Sequence, residues 1–192
     1  MNWTIPNLLT VTRLILAPFL GIVLVVSSSN AWAVTILILF ILAAITDYLD
    51  GYLARVLNQS SSLGKLMDPI ADKAMVIILL CFINFDFTNE ALKIFAGIPT
   101  VLIVFREVFI SGLREFLAHG SEVINVTKLS KWKTASQLTA IGVLLSSKIS
   151  YLTFLPLTEI GIGILWIASL ITLLSGFGYF LKALPVLKRS KT

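Results

Sequence analysis

Six apolar runs, over residues 8–26, 31–50, 69–85, 91–117, 132–149 and 155–184, decide what this chain can fold into. Each is close to or beyond the roughly 20 residues that a helix needs to cross a hydrocarbon core about 30 Å thick. In lipid, backbone polar groups must be satisfied within the segment by a helix or within a closed barrel. The runs lack the two-residue alternation of barrel strands. The expected fold is therefore an all-α integral membrane protein, one domain over residues 1–192 with six transmembrane helices. Composition agrees: the chain is 57% hydrophobic and only 13% charged, against about 25% charged in soluble domains, and its mean hydropathy is +0.96.

Ahead of the first run, Trp3 and Ile5 precede Pro6, a pattern suited to a short helix lying at the membrane interface. Residues 14–26 are expected to be the first membrane helix rather than a cleaved signal, because Arg13 follows a polar, proline-containing start and no A-x-A site closes the run. Basic residues set the orientation. An N-in, C-in path of six crossings places thirteen Lys and Arg at or near the cytoplasmic side and only Lys93 and Lys148 opposite. The net charge of +5 thus reads as membrane orientation. No long basic run or aromatic–basic interleaving points to nucleic acid. Cys81, the single cysteine, is expected to be a buried thiol, and His119, the single histidine, to lie in a solvated loop after the fourth run.

The chemistry concentrates in Asp47, Asp50, Asp68 and Asp72. Asp47 and Asp50 are three apart and Asp68 and Asp72 four apart, so each pair shares a helical face near a membrane-helix end. Unpaired carboxylates are costly near hydrocarbon and resist joint ionisation without a cation. An oxygen-only donor set selects hard divalent ions, Mg²⁺ or Mn²⁺, and four carboxylates suit two of them. Two ions about 3.5–4 Å apart can clamp the entering and leaving oxygens of a phosphoryl displacement. Singly, each aspartate also suits a helix cap, Asp68 before Pro69 above all. Small residues nearby, Gly51, Ala54 and Gly64, leave space for a nucleotide phosphate. Gly161, Gly163, Gly176 and Gly178 suit close helix packing.

The pattern Asp47-x2-Asp50-Gly51-x2-Ala54-Arg55-x8-Gly64-x3-Asp68-x3-Asp72 resembles the complete signature of the CDP-alcohol phosphatidyltransferases, and the opening Asn7-Leu8-Leu9-Thr10-x2-Arg13 extends the likeness toward the N-terminus. The resemblance implies that Asp47 and Asp68 bridge two metals, that Asp50 and Asp72 complete one each, and that Asp72 is the general base. It assigns Gly51, Ala54, Arg55 and Gly64 to the CDP site. It further implies a homodimer in a cytoplasmic membrane of bacterial type, its active site facing the cytoplasm, acting on CDP-diacylglycerol among membrane lipids.

A second set concerns the acceptor. Arg106 and Arg114 end the fourth run, and Lys131 and Lys133 open the fifth. Arginine forks match phosphate geometry and lysine adds a point charge, so these four are candidate phosphate contacts. The run from Arg106-Glu107 to Leu113-Arg114-Glu115, with Lys131-Trp132-Lys133-Thr134, resembles the branch of the family that uses glycerol 3-phosphate. Other acceptors within the family are inositol phosphate, inositol or serine. From a different class, a small cation transporter would explain the acids but not Arg106 and Lys133.

Overall fold

The structure, a computed structural model, describes residues 5–56, 62–119 and 128–189. The side chains of residues 5–6, 48–56, 62–63, 65, 118–119, 128–130, 182 and 185–189 fall outside this description. Six α-helices account for nearly all of it: α1 (Ile5–Val26), α2 (Asn30–Val56), α3 (Ser62–Asp86), α4 (Glu90–His119), α5 (Lys128–Ser146) and α6 (Leu157–Arg189), with a 3-10 turn at Ser150–Leu152. Among the described residues there is no strand.

Each expected run became a helix, and most grew. α3 begins at Ser62, so Asp68 and Pro69 lie inside it rather than at its start. Asp68 is therefore not a helix cap. α1 is continuous from Ile5, and Trp3 lies outside the described residues. His119 is the last residue of α4, not part of a following loop.

Three-residue links at 27–29 and 87–89 force α1/α2 and α3/α4 to run antiparallel. Neighbour packing closes a ring in the order α1, α2, α5, α6, α4, α3, with α3 also touching α5 across it. Close approach depends on glycine at two seams. A Cβ on Gly21 would stand 2.4 Å from the Phe82 ring, and one on Gly161 2.6 Å from Leu144. These contacts bring α1 onto α3 and α6 onto α5. By contrast, Gly163 and Gly178 have nothing within 4 Å of a Cβ among the described residues, so the expected packing role is not filled there within the chain.

The distribution of side chains is that of a membrane protein. Ile15, Val101, Phe105, Val108, Leu174 and Phe177 are all exposed, a continuous apolar exterior that water does not favour. The interior holds Leu20, Leu79, Ile103, Ile141 and Leu165, yet also buries Arg13, Arg106, Glu107, Gln137, Thr172 and Ser175. Thr12, Thr35 and Thr139, on the exterior, return their hydroxyls to the carbonyls of Leu8, Ala31 and Ala135, four residues back. A hydroxyl satisfied by its own helix is tolerated in lipid. Cys81 is exposed on α3 rather than buried, because its apolar run turns that face outward.

Among the described residues, four helices are long and apolar enough to cross a bilayer: Asn7–Val26, Asn30–Asp47, Glu90–Leu117 and Leu157–Leu181. α3 and α5 fall short because of what they carry: Asp68, Asp72 and Lys73 in α3, and Lys128, Lys131, Lys133 and Gln137 in α5. These two helices meet across the ring, where the polar chemistry sits.

Candidate active site

The up-and-down path brings the starts of α1, α3 and α5 and the ends of α2, α4 and α6 to one end of the bundle. At the other end Lys148 pairs with Asp86 and stands 5.4 Å from the Phe87 ring, while Lys93 pairs with Glu90 at 3.6 Å. The sequence-predicted acids and phosphate contacts all belong to the first end.

Here α1 supplies two residues on one face, Thr10 and Arg13, three positions apart. The Thr10 hydroxyl donates to Asp68 Oδ1 at 2.6 Å. Arg13 donates through one guanidinium nitrogen to both Asp47 and Asp72, the latter at 2.9 Å. Arg13 is buried, whereas the Asp47 and Asp72 side chains are 36% and 49% exposed. Asp47 of α2 and Asp68 and Asp72 of α3 thus converge on α1, anchored from inside and partly exposed. An arginine shared by two carboxylates relieves their repulsion.

In sequence Thr10 stands out only within the opening motif, and Arg13 there and as a charge at the start of the first run. Their signal was available: polar residues in an apolar membrane helix are functional candidates by default. Asp50, Gly51, Ala54 and Arg55 lie in the last turns of α2, but their side chains are outside the described residues. Gly64 is buried in the first turn of α3. Among the described residues no three acidic, histidine or cysteine side chains gather tightly enough to hold a metal ion, a set that leaves out Asp50. The donors that do converge are all carboxylate oxygens, the chemistry of a hard divalent cation.

Beside this cluster is a cavity of about 190 Å³ between α3, α4 and α5, and Asp72 lines it. Around it stand Lys73, Arg106, Arg114 and Lys133, four cations, against the carboxylates of Asp72 and Glu107. Glu107, 4% exposed, organises the wall. Its Oε1 accepts from Lys133 at 2.6 Å and from Arg106 at 3.3 Å, and the Gln137 amide lies close enough to favour the charged carboxylate. A buried carboxylate is sustained only by partners of this kind. Lys73 donates to Ser111 at 2.6 Å, and the Arg114 guanidinium lies over the Tyr179 ring at 5.0 Å. Lys131 is exposed on α5 and does not line the cavity. Lys73, Ser111 and Gln137 were not anticipated. Lys73 looks in sequence like one more basic residue at a helix end, and only α4 folding against α3 turns it to the cavity.

Two positive charges in excess, in a space below the roughly 300–1,000 Å³ of sites for drug-sized ligands, suit a small phosphate ester carrying about −1.5 to −2. The site can therefore hold an anionic alcohol with Asp72 at its edge, beside the partly exposed carboxylate cluster.

Comparison with known proteins leads to the same chemistry. The family model described as CDP-alcohol phosphatidyltransferase matches residues 3–174. A Cereibacter sphaeroides protein named CDP-diacylglycerol–glycerol-3-phosphate 3-phosphatidyltransferase is 41% identical over 225 aligned positions covering all of both chains. A Rickettsia typhi protein of the same name is 40% identical over 92% of this chain and 94% of its own. A chloroplastic and mitochondrial Arabidopsis thaliana protein, also so named, is 37% identical over 97% of this chain and 64% of its own.

Proposed function

The chain belongs to the CDP-alcohol phosphatidyltransferase family, and from that premise we propose that it transfers the phosphatidyl group of CDP-diacylglycerol to glycerol 3-phosphate, giving phosphatidylglycerophosphate and CMP. The observation that carries the reading is the position of Asp72. It belongs to the carboxylate cluster through Arg13 and also lines the cationic cavity. A base there reaches an acceptor alcohol in the cavity and borders a nucleotide diphosphate at the cluster.

In the proposed reaction the cations around the cavity hold the phosphate of the acceptor and present its hydroxyl to Asp72. Asp72 takes the hydroxyl proton as the oxygen bonds to the lipid-bearing phosphorus, and the bond from that phosphorus to the CMP oxygen breaks. Glu107 keeps Arg106 and Lys133 in place. Asp47, Asp50, Asp68 and Asp72 are proposed to hold two divalent cations, Mg²⁺ or Mn²⁺, which when bound stabilise the charge developing on the departing phosphate. The all-oxygen donor set supports this, and Gly51, Ala54, Arg55 and Gly64 are proposed to border the CDP moiety.

The proposal includes six crossings with both termini inside, the site facing the cytoplasm of a bacterial cell, and a homodimer with one site per subunit. The excess of basic residues toward the site end supports that orientation. Within the family, the cation surplus favours an acceptor that carries phosphate over inositol or serine.

The test is CMP release by purified protein with CDP-diacylglycerol and Mg²⁺, the acceptors supplied one at a time. Release with glycerol 3-phosphate, with phosphatidylglycerophosphate formed, is expected. It should vanish with EDTA and return with excess Mg²⁺. Release only with another acceptor would overturn the acceptor assignment, and activity indifferent to EDTA would overturn the metal assignment.

A further inference from the structure

Among its described residues α6 lends no charged side chain to the cavity, yet it buries three hydroxyls on one face: Ser169, Thr172 and Ser175, each three residues from the next. Ser169 bonds back to the carbonyl of Trp166, within its own helix. The other two reach across to the cavity wall. Thr172 accepts from Gln137 Nε2 at 3.0 Å, and Ser175 accepts from Arg106 Nη2 at 3.0 Å.

Gly176 completes the contact. A Cβ at that position would stand 3.0 Å from both Cγ and Nε of Arg106, so the stem of Arg106 lies across the bare backbone of α6. Arg106 is only 6% exposed and is held at one nitrogen by Glu107 and at another by Ser175. Its Nε is buried with no hydrogen-bond partner. The guanidinium therefore has little room to compensate for a shift. Displacing a substrate-positioning group by about 1 Å can cost about a hundredfold in rate.

We propose that Ser175 and Gly176 are positioning residues for the acceptor site. Ser175 fixes the outer nitrogen of Arg106, and Gly176 leaves the space in which its stem lies, so that the guanidinium faces the cavity. The inference rests on the proposed function, in which the cavity takes a phosphate-bearing alcohol. It adds that α6, at a distance from the reacting atoms, sets acceptor affinity. Thr172 supports the same wall one turn earlier through Gln137, which lines the cavity beside Glu107.

The test is steady-state kinetics of purified full-length protein in detergent, with Ser175→Ala, Ser175→Thr, Gly176→Ala, Arg106→Ala and the Ser175→Ala/Arg106→Ala double variant. Ser175→Ala should raise the KM for glycerol 3-phosphate about tenfold, the low end for losing a hydrogen bond to a charged group. The KM for CDP-diacylglycerol should stay within about twofold. Gly176→Ala should act in the same direction, and Ser175→Thr, which keeps the hydroxyl, should restore acceptor KM to near the wild-type value. In the Arg106→Ala background Ser175→Ala should add nothing, because residues acting through one group are non-additive.

An unchanged acceptor KM, an equal rise for both substrates, or full additivity with Arg106→Ala would each overturn the proposal. The proposed function is read separately, from wild-type protein alone. If that protein releases no CMP with glycerol 3-phosphate, the acceptor reading fails and the assignment of Ser175 and Gly176 to an acceptor site fails with it.

Discussion

Asp72 and Glu107 are both carboxylates in the same cavity wall, and their surroundings give them opposite tasks. Glu107 is 4% exposed and accepts from both Lys133 and Arg106. Asp72 is half exposed and accepts a hydrogen bond from Arg13. The first is suited to holding cations still and the second to meeting a substrate. Asp72→Asn keeps the shape and removes the base, so kcat should fall at least about a hundredfold, the lower range of general-base catalysis. The elution profile in detergent should be unchanged. Near-normal turnover by a correctly assembled Asp72→Asn protein would end its proposed role. At this scale the sequence was legible for the aspartates, Arg106 and Lys133, whose charges sit conspicuously beside apolar runs. Arg13, Lys73 and Gln137 gain their meaning from partners 59, 38 and 35 positions away in the chain, a separation that local spacing does not encode.

The helices differ in what their sequences announce. α1, α2, α4 and α6 each keep a membrane-length stretch of high hydropathy, with most of its side chains outside the packed interior, even though α1 carries Arg13 and α4 carries Arg106 and Glu107. α3 and α5 turn polar residues toward each other across the ring, which lowers their hydropathy without making them surface helices. Local pattern also misplaced the start of α3. Asp68-Pro69 looks like a cap followed by a first turn, but the helix already runs from Ser62, and the Thr10 hydroxyl on α1 satisfies Asp68 instead. The α1–α3 seam that makes this possible depends on Gly21 lying against Phe82. Gly21→Val should overpack the seam by about 1–3 kcal/mol and lower the thermal unfolding midpoint in detergent. Activity should fall with it, since Thr10 and Arg13 ride on α1. Gly178→Ala, where a Cβ meets open space, is the control and should leave the midpoint unchanged. Equal effects from the two would show that the seam is not under this constraint.

For the whole molecule the question is which end faces which compartment. The site end gathers nearly all the basic residues, and the opposite end carries Lys93 and Lys148 paired with Glu90 and Asp86. Charge asymmetry of this kind directs the basic end to the cytoplasm. In a Cys81→Ser background, Ser28→Cys should react with a membrane-impermeant maleimide added to intact cells, and Lys131→Cys should react only after the cells are opened. The reverse pattern would invert the proposed topology and place the site outside, away from water-soluble cytoplasmic substrates.

The sequence by itself determined the all-helical fold with helices of membrane length, and the family. These follow from run length, hydropathy and a motif whose spacing is written along one chain segment. The tertiary structure decided which charges work together. Helix period fixes the face of each residue, but only the ring order α1, α2, α5, α6, α4, α3 brings α1 to Asp47, Asp68 and Asp72, and α6 to Arg106. That order depends on close approaches such as Gly21 on Phe82 and on buried pairs such as Lys133 with Glu107. Their energy exists only once distant segments have met.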